Sequence, residues 1–429
     1  MAERIKVLVV GTGGREHALV RAIAADPGVS DVHAAPGNPG MARLASLHEV
    51  DQLDGSAVAA LARSLQVDLV VIGPEAPLVA GVADAVRAAG TACFGPTREA
   101  ARLEGSKDFA KQVMAAAGVP TARWHTCTSR AEAAAALDEL GPPYVVKDDG
   151  LAAGKGVVVT DDRAAALEHV SACTGAVVVE EFLDGPEVSL FAITDGTTVL
   201  PMQPAQDFKR IFDHDLGPNT GGMGAYTPLP WAPDGLVDQI RATVLQPTID
   251  ELRRRGTPFA GLLYAGLALT ARGVRVIEFN ARFGDPETQP LLAVLNSPLG
   301  QVLHAAATGR LAEIGSLRWK PESAVAVVLA SAGYPAASRS GDLITGADHE
   351  TESAYVVHAG TAIQDGQLVS AGGRVLASVG VGADLDDARR SAYDRLAQVG
   401  LADAQFRTDI AQAAAGGQIP TPTVKDSRA

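Results

Sequence analysis

The chain has 429 residues, about three domains' worth at roughly 150 residues per domain. Its formal net charge of −14 rules out a general attraction to nucleic acid or to an anionic membrane surface, though a local basic pocket for a phosphorylated small molecule stays open. Glycine (45) and proline (25) together fall well below the roughly 25–30% of low-complexity chains, so most of the sequence is expected to fold.

The opening MAERIKVLVV carries charge where a secretory leader needs a long apolar core, and the longest apolar stretch, 259–271, is too short and too glycine-rich for a membrane span of about 18 residues or more. Cys93, Cys127 and Cys173 are scattered and odd in number. They suit neither a disulfide framework nor a zinc site and read as small buried residues in a reducing, cytoplasmic setting.

In chain order, residues 5–10 form an apolar run ending at Gly11, 18–25 read as a helix, and 32–35 and 69–72 are short strands. A helix over 82–89 and a strand over 91–94 follow. Fully apolar strands alternating with helices predict a parallel sheet covered on both faces, with ligands at the carboxyl ends of its strands. Three loops fall there: GTGGREH (11–17), PGNPG (36–40) and GPEAPL (73–78). Ser106 is a candidate helix N-cap, with Phe109 and Val113 on the buried stripe and Gly118 and Pro120 as the stop. Strands at 144–147, 157–160 and 176–179 and a helix at 164–170 make a small unit. Strands at 189–194, 261–270 and 274–279 follow, and 204–226 is too long and glycine-rich for a simple connector. Beyond 324, strands at 324–330, 354–358, 368–370 and 373–379 read as a meander. A helix with Leu385, Ala388, Ala392 and Leu396 on one face comes next, and a frayed tail is expected after Ala413.

GTGGREH sits between a strand and a helix, where helix N–H groups suit a phosphate. The dinucleotide fingerprint fails because Glu16 stands at its third glycine position. A phosphate or sugar-phosphate site is the preferred reading; a plain glycine turn is the alternative. GLAAGKG (150–156) fails the phosphate-loop spacing and leads into a strand, so it reads as a glycine-rich flap carrying Lys155, with Lys147 ending the strand before it. Two solvated lysines are the plainer alternative. Glu180 and Glu181 point to opposite sides of a continuing strand, so at most one faces the lysines. In VIEFNARFGDPETQP (276–290), Glu278 and Asn280 share one strand face and offer hard oxygen ligands for Mg²⁺, with Ile277 and Phe279 turned toward a core. Arg282 lies just beyond and could hold a carboxylate or phosphate; a polar strand end with a surface ion pair is the alternative.

Together Lys147, the 150–156 flap, Glu180–Leu183 and the Glu278/Asn280 pair resemble an ATP-grasp core. More closely, the chain resembles the phosphoribosylamine–glycine ligase family over about residues 5–412, through GGREHAL (13–19), APGNPG (35–40), GPEAPL (73–78), LEGSK (103–107), DGLAAGKGV (149–157), EEFLDG (180–185), GPNTGGMGAY (217–226), EFNARFGDPETQP (278–290) and GGRVL (372–376). The resemblance implies an α/β fold in four parts: an N-terminal doubly wound parallel-sheet substrate domain (1–103), an ATP-grasp large lobe (104–120 and 189–323), a small lobe or nucleotide lid (121–188) and a small mixed α+β C-terminal domain (324–429). It implies ATP phosphates at Lys107, Lys147, Gly154, Lys155 and Gly156, the adenine at Glu180 and Leu183, and the ribose at Glu187. It puts Mg²⁺, or Mn²⁺, on Glu278 and Asn280, phosphoribosylamine beside Gly14, Asn38, Gly73 and Glu75, and the reaction centre at Asp215, Asn219, Thr220 and Arg282. The implied enzyme is a cytoplasmic monomer joining glycine to 5-phosphoribosylamine at the expense of ATP. A ligase for another carboxylate–amine pair and a non-catalytic ATP sensor are the competing readings. Asp148 stands where the family often has Ala and adds negative charge near the phosphate lysines; Phe208 stands where it often has His, so no proton-shuttle role is assigned there.

Overall fold

A computed structural model describes residues 4–151 and 156–420. The N-terminal region is a five-stranded parallel sheet in the order Ser46–Leu47, Val29–Pro36, Ile5–Gly11, Leu69–Ile72, Ala92–Phe94. Alternate residues of its central strand enter two different cores. Val7 and Val9 pack with Leu19, Ile23, Leu299 and Leu303, whereas Leu8 and Val10 pack with Val58, Ala62, Val82 and Val86. Burial on both faces is why these strands are apolar throughout. Two helices exceed the sequence expectation here: Gly55–Leu65, capped by Asp54, and Glu75–Ala80.

A four-stranded antiparallel sheet, Trp124–Cys127, Val177–Glu181, Tyr144–Asp148, Val157–Thr160, is backed by the helices Arg130–Leu140 and Arg163–Ala172. The largest sheet has eight strands, in the order Gly273–Asn280, Ala260–Thr270, Glu187–Asp195, Val199–Asp207, Gly224–Thr227, Ser323–Ala330, Arg374–Gly382, Ala354–His358. The strands beyond 323 are therefore not a free-standing meander. Ser323–Ala330 pairs with Gly224–Thr227 and extends the central sheet, while Gln367–Ser370 leaves it to form a hairpin with Thr361–Gln364. The helix Leu385–Leu396 buries Leu385, Ala388, Ala392 and Leu396 against the sheet, as its periodicity predicts. The chain is still packed just past Ala413, with Ala411 and Ala414 buried in the same core, and the rest of the expected frayed tail, from 421 on, lies outside the described residues. No helix among the described residues is long and apolar enough to cross a membrane.

Candidate active site

The strand Gly273–Asn280 departs from regular pairing just before its acidic end. Its register steps from Val276–Leu267 to Glu278–Gly266, which leaves Ile277 unpaired in a bulge. Bulges re-aim side chains and release backbone groups. Here the core takes Val276 and Phe279, and Ile277 is only half-buried, which corrects the expectation that Ile277 shares Phe279's apolar face. The freed carbonyl of Ile277 accepts a 2.9 Å hydrogen bond from Lys147 Nζ. Glu278 and Asn280 follow the bulge two residues apart, on one face.

Lys147 crosses from the four-stranded sheet to reach that carbonyl. It also stands 3.1 Å from Glu180 Oε2, an atom 3.2 Å from the buried Lys111 Nζ. Glu181 faces the other way and pairs with Arg123 and Arg272, as strand alternation requires. Burial pushes the Lys111 ammonium down to about 8, against the pull of Glu180. Lys107 opens the helix Lys107–Ala117, capped by Ser106 as expected, and donates to the carbonyls of Asp148 (2.8 Å) and Gly150 (2.9 Å). Burial lowers its pKa while Glu278 opposes that shift, so the two lie within electrostatic reach. Asp148 acts on Lys107 in the same sense as Glu278. Gly156 is buried and its carbonyl accepts from Asp148 N; Gly154 and Lys155 lie outside the described residues. Leu183 is half-buried just past the strand. Glu187 is exposed, 2.6 Å from Lys209 Nζ, whose second carboxylate partner is Asp207 at 2.9 Å.

Beside Asp207, Ser189 Oγ and Tyr264 OH lie 2.9 Å apart, and Tyr264 donates to Glu287 Oε1 at 2.5 Å. Burial pushes the Glu287 carboxyl up to about 7.

Arg282 marks the junction with the parallel sheet. Its guanidinium is 3.2 Å from Glu75 and 3.0 Å from Glu104, and it donates to Phe283 O. Glu104 also accepts from Ala281 N at 2.7 Å. Burial acts to raise Glu75, but Arg282 and Arg15 together hold it below the usual carboxylate range. Glu16, at the failed third-glycine position, folds back to accept from Gly13 N (2.7 Å) and pair with Arg15 (2.5 Å). It fills the space beside Gly73, where an added Cβ would stand 2.0 Å from Glu16 Oε1. Gly73 is thus small because Glu16 needs the room. Gly14 opens the first helix against Gln289 and Asp285. The Asn38 amide donates to Thr12 O (2.8 Å) and His358 O (2.9 Å) and accepts from Gly40 and Met41, so this side chain is committed to backbone. Its neighbour His17 accepts from His358 N at 2.9 Å. Burial pushes His17 down to about 3 and His358 to about 4.

The 204–226 stretch ends the strand Val199–Asp207 and adds a hairpin, Arg210–Phe212 with Leu216–Asn219. Asp215 lies at its exposed turn, with a left-handed backbone (φ 54°), and pairs with Arg407 at 2.7 Å. Asn219 pairs with Arg210 in the ladder. Thr220 is buried; its Oγ1 donates to Lys209 O (2.8 Å) and accepts from Gly222 N (2.9 Å). Arg374 then clamps this loop to the next, donating to Gly221 O (2.6 Å) and Asp285 O (2.7 Å) and pairing with the Asp285 carboxylate (3.2 Å). Phe208 packs on Tyr226, with the Arg407 guanidinium 4.8 Å from its ring centre.

The structure therefore brings Lys107, Lys147, Glu180 and Glu278 together at the junction of the small and large sheets, and Glu75 with Arg282 at the parallel sheet. Asp215 sits apart from both, paired from its hairpin with Arg407 of the C-terminal segment. Lys111, Glu104, Lys209, Glu287 and Arg374 are site residues that sequence reasoning passed over. LEGSK, DPETQP and GGRVL contained three of them, but spacing alone gave them no partner.

The chain also matches known proteins along most of its length. Residues 5–104, 105–288 and 324–413 match, in turn, the N domain, the ATP-grasp (A) domain and the C domain of phosphoribosylglycinamide synthetase. The chain is 65% identical over 416 residues to a phosphoribosylamine–glycine ligase of Streptomyces coelicolor, covering 96% of this chain and 100% of the relative. It is 46% identical to the phosphoribosylamine–glycine ligase of Caulobacter vibrioides, covering 95% and 98%. The crystal structure of phosphoribosylamine–glycine ligase from Thermotoga maritima superposes with a TM-score of 0.82 at 33% identity, covering 95% of this chain and 100% of that one.

Proposed function

The chain belongs to the phosphoribosylglycinamide synthetase family, and from that premise we propose how its residues carry out the family's reaction. The enzyme is an ATP-dependent phosphoribosylamine–glycine ligase of purine biosynthesis. It joins glycine to 5-phosphoribosylamine to give glycinamide ribonucleotide, ADP and phosphate. We read the division of labour as 1–103 for phosphoribosylamine, 104–120 with 189–323 for metal and chemistry, 121–188 as nucleotide lid, and 324–429 as the C-terminal domain. One observation carries this reading. The Arg282 guanidinium lies 3.2 Å from Glu75 of the parallel-sheet loops and 3.0 Å from Glu104. This joins the strand bearing Glu278 and Asn280 to the carboxyl end of the parallel sheet.

A carboxylate is a poor acyl donor because oxide is a poor leaving group. The glycine carboxylate attacks the γ-phosphate of ATP in line, ADP leaves, and the acyl phosphate then accepts the amine of phosphoribosylamine, releasing phosphate and a proton. Little covalent chemistry falls to the protein; positioning and charge neutralisation dominate. Lys107 and Lys147 face the phosphates with buried Gly156 beside them, and Lys155 and Gly154, outside the described residues, are assigned to the phosphates from the sequence. Glu180 and Leu183 border the adenine and Glu187 the ribose. Gly14, Asn38, Gly73 and Glu75 shape the phosphoribosylamine side, with Asn38 and Gly73 acting through the backbone they organise. Arg282, steered by Glu75 and Glu104, is preorganised for the oxyanion, while Thr220 and Asn219 set the adjoining loop and Asp215 anchors its turn.

Glu278 and Asn280 suit Mg²⁺, or Mn²⁺ with the same preference for hard oxygen. Among the described residues no group of three or more His, Cys, Asp or Glu is gathered for a metal. A pair of protein ligands is what Mg²⁺ needs when phosphate oxygens and water complete its shell. When bound, the ion offsets charge on the transferring phosphoryl group. The enzyme is read as a cytoplasmic monomer. The test is phosphate release from MgATP with glycine and freshly generated phosphoribosylamine each omitted in turn. Release requiring both, one phosphate per glycinamide ribonucleotide, is expected. Release that needs glycine but ignores phosphoribosylamine would refute the assignment of the amine site.

A further inference from the structure

Glu180 is held by more positive charge than it needs. Its Oε2 lies 3.1 Å from Lys147 Nζ and 3.2 Å from Lys111 Nζ, and all three side chains are at most 5% exposed. The two lysines differ in what else holds them. Lys111 Nζ donates to Thr121 Oγ1 at 2.8 Å, and that hydroxyl donates to Val276 O at 2.7 Å. Lys147 Nζ instead donates to the bulged carbonyl of Ile277, at 2.9 Å. Lys111 stands on the helix Lys107–Ala117, whereas Lys147 and Glu180 belong to adjacent strands of the small sheet.

Lys147 alone would neutralise Glu180. A second buried ammonium adds a desolvation penalty without being needed for neutrality. The nearest other carboxylate on that strand, Glu181, is already taken by Arg123 and Arg272 on the opposite face, and Lys107 adds further positive charge on the side of Glu278. The positive excess is local to Glu180, since Glu278, Asp148 and Asp149 all act on Lys107.

We propose that Lys111 is a positioning residue that keeps Glu180 in place and charge-paired when Lys147 turns from it to the nucleotide phosphates. The proposal rests on the phosphate role of Lys147 given above. An ammonium on a four-carbon stem can reorient, and Lys111, tied to Thr121, is the lysine that stays. Without Lys111, Lys147 and Glu180 form a neutral one-to-one pair, and Lys147 can serve the phosphates only by abandoning a buried carboxylate. Loss of Lys111 therefore weakens nucleotide binding without weakening the empty protein.

The experiment compares Lys111→Met, Lys147→Met, Glu180→Gln and the double variant Lys111→Met/Glu180→Gln in the full chain, with MgADP affinity by calorimetric titration and thermal unfolding without nucleotide. Lys111→Met is expected to raise the MgADP Kd about tenfold, roughly 1.4 kcal/mol, with an unchanged or higher Tm. Measured against Glu180→Gln alone, with no carboxylate charge to abandon, the double variant is expected to bind MgADP equally well, whatever Glu180→Gln itself costs at the adenine. Lys111→Gln, which keeps a donor for Thr121, is made in parallel. A lowered Tm with unchanged Kd, or failure of both Lys111 variants to fold, makes Lys111 purely structural and overturns the proposal. If Lys147→Met weakens MgADP while the Lys111 variants do not, only the hand-over falls. If Lys147→Met leaves MgADP binding unchanged, the phosphate role of Lys147 falls with it.

Discussion

Two buried ion clusters flank the strand Gly273–Asn280, and they are built with opposite excess. At the hinge, two ammoniums share one carboxylate: Lys111, Lys147 and Glu180. At the parallel sheet, two guanidiniums sit among three carboxylates: Arg15 and Arg282 with Glu16, Glu75 and Glu104. Both clusters donate to backbone, Lys147 to Ile277 O and, on the other side, Arg15 and Arg282 together to Phe283 O. Planar forks with several fixed partners make a rigid frame, whereas ammoniums converging on one oxygen can exchange. The hinge cluster is therefore suited to moving charge and the arginine cluster to holding geometry.

The sharpest way to break that comparison is Glu104→Ala. It removes one partner of a buried pair and leaves Ala281 N–H without its acceptor. A loss of about 3–5 kcal/mol in unfolding free energy is expected, measured by urea denaturation, and Glu104→Gln should recover part of it through the Ala281 hydrogen bond. A loss below about 1 kcal/mol would mean that Glu75 alone fixes Arg282 and that the frame is looser than drawn. Next in size is Glu278→Gln, which keeps the side chain's volume and removes its charge. Phosphate release should fall by on the order of 10²–10³, the scale for removing one preorganised electrostatic contact, with thermal stability little changed. Activity within a few-fold of the parent enzyme would move the metal elsewhere.

How much of this was legible beforehand depended on whether the cause lay near in sequence. The Ser106 cap, the 385/388/392/396 stripe and the opposed Glu180 and Glu181 follow from local period and turn chemistry, and all three appear as read. The strand Val199–Asp207 did not, because Pro201 and Pro204 argue against a central strand. It is accommodated where the pairing slips between Leu190 and Ala192. The Ile277 bulge had no sequence mark at all, since alternation alone puts Ile277 beside Phe279. Glu104 and Arg374 remained silent because their backbone partners are 177 and 89 residues or more away. Pairing at that range is fixed by how the sheets assemble.

Acid offers a third test, read through two histidines on the parallel-sheet side. His17 and His358 are buried where the first helix meets the strand Ala354–His358. The unfolded chain protonates both near pH 6.5, but the folded chain resists until about pH 3 for His17 and about pH 4 for His358. The unfolded state thus binds more protons across that window, so stability is complete above pH 6.5 and falls as the pH drops toward 4. The loss is on the order of 2–3 kcal/mol per histidine. Urea midpoints measured from pH 7.5 to 4.5 should show it. His17→Asn, which keeps an acceptor for His358 N, should flatten the profile; an unchanged slope would place the acid sensitivity elsewhere.

The smallest effect serves as the control for the hinge. Ser106 Oγ accepts from Phe109 N and caps the helix that carries Lys107 and Lys111. Ser106→Ala should cost about 1 kcal/mol, the usual value of such a cap, because the first turn loses an acceptor while its buried residues Phe109, Ala110 and Val113 still pack. Asp149 also accepts from the same turn, at Asp108 N, which keeps that turn in register without the hydroxyl. MgADP affinity should therefore move less than twofold. This is the reverse of the Lys111→Met expectation, in which affinity falls and stability does not. If Ser106→Ala weakened MgADP as much as Lys111→Met, the affinity at the hinge would track helix stability in general, and charge sharing at Glu180 would lose its special place.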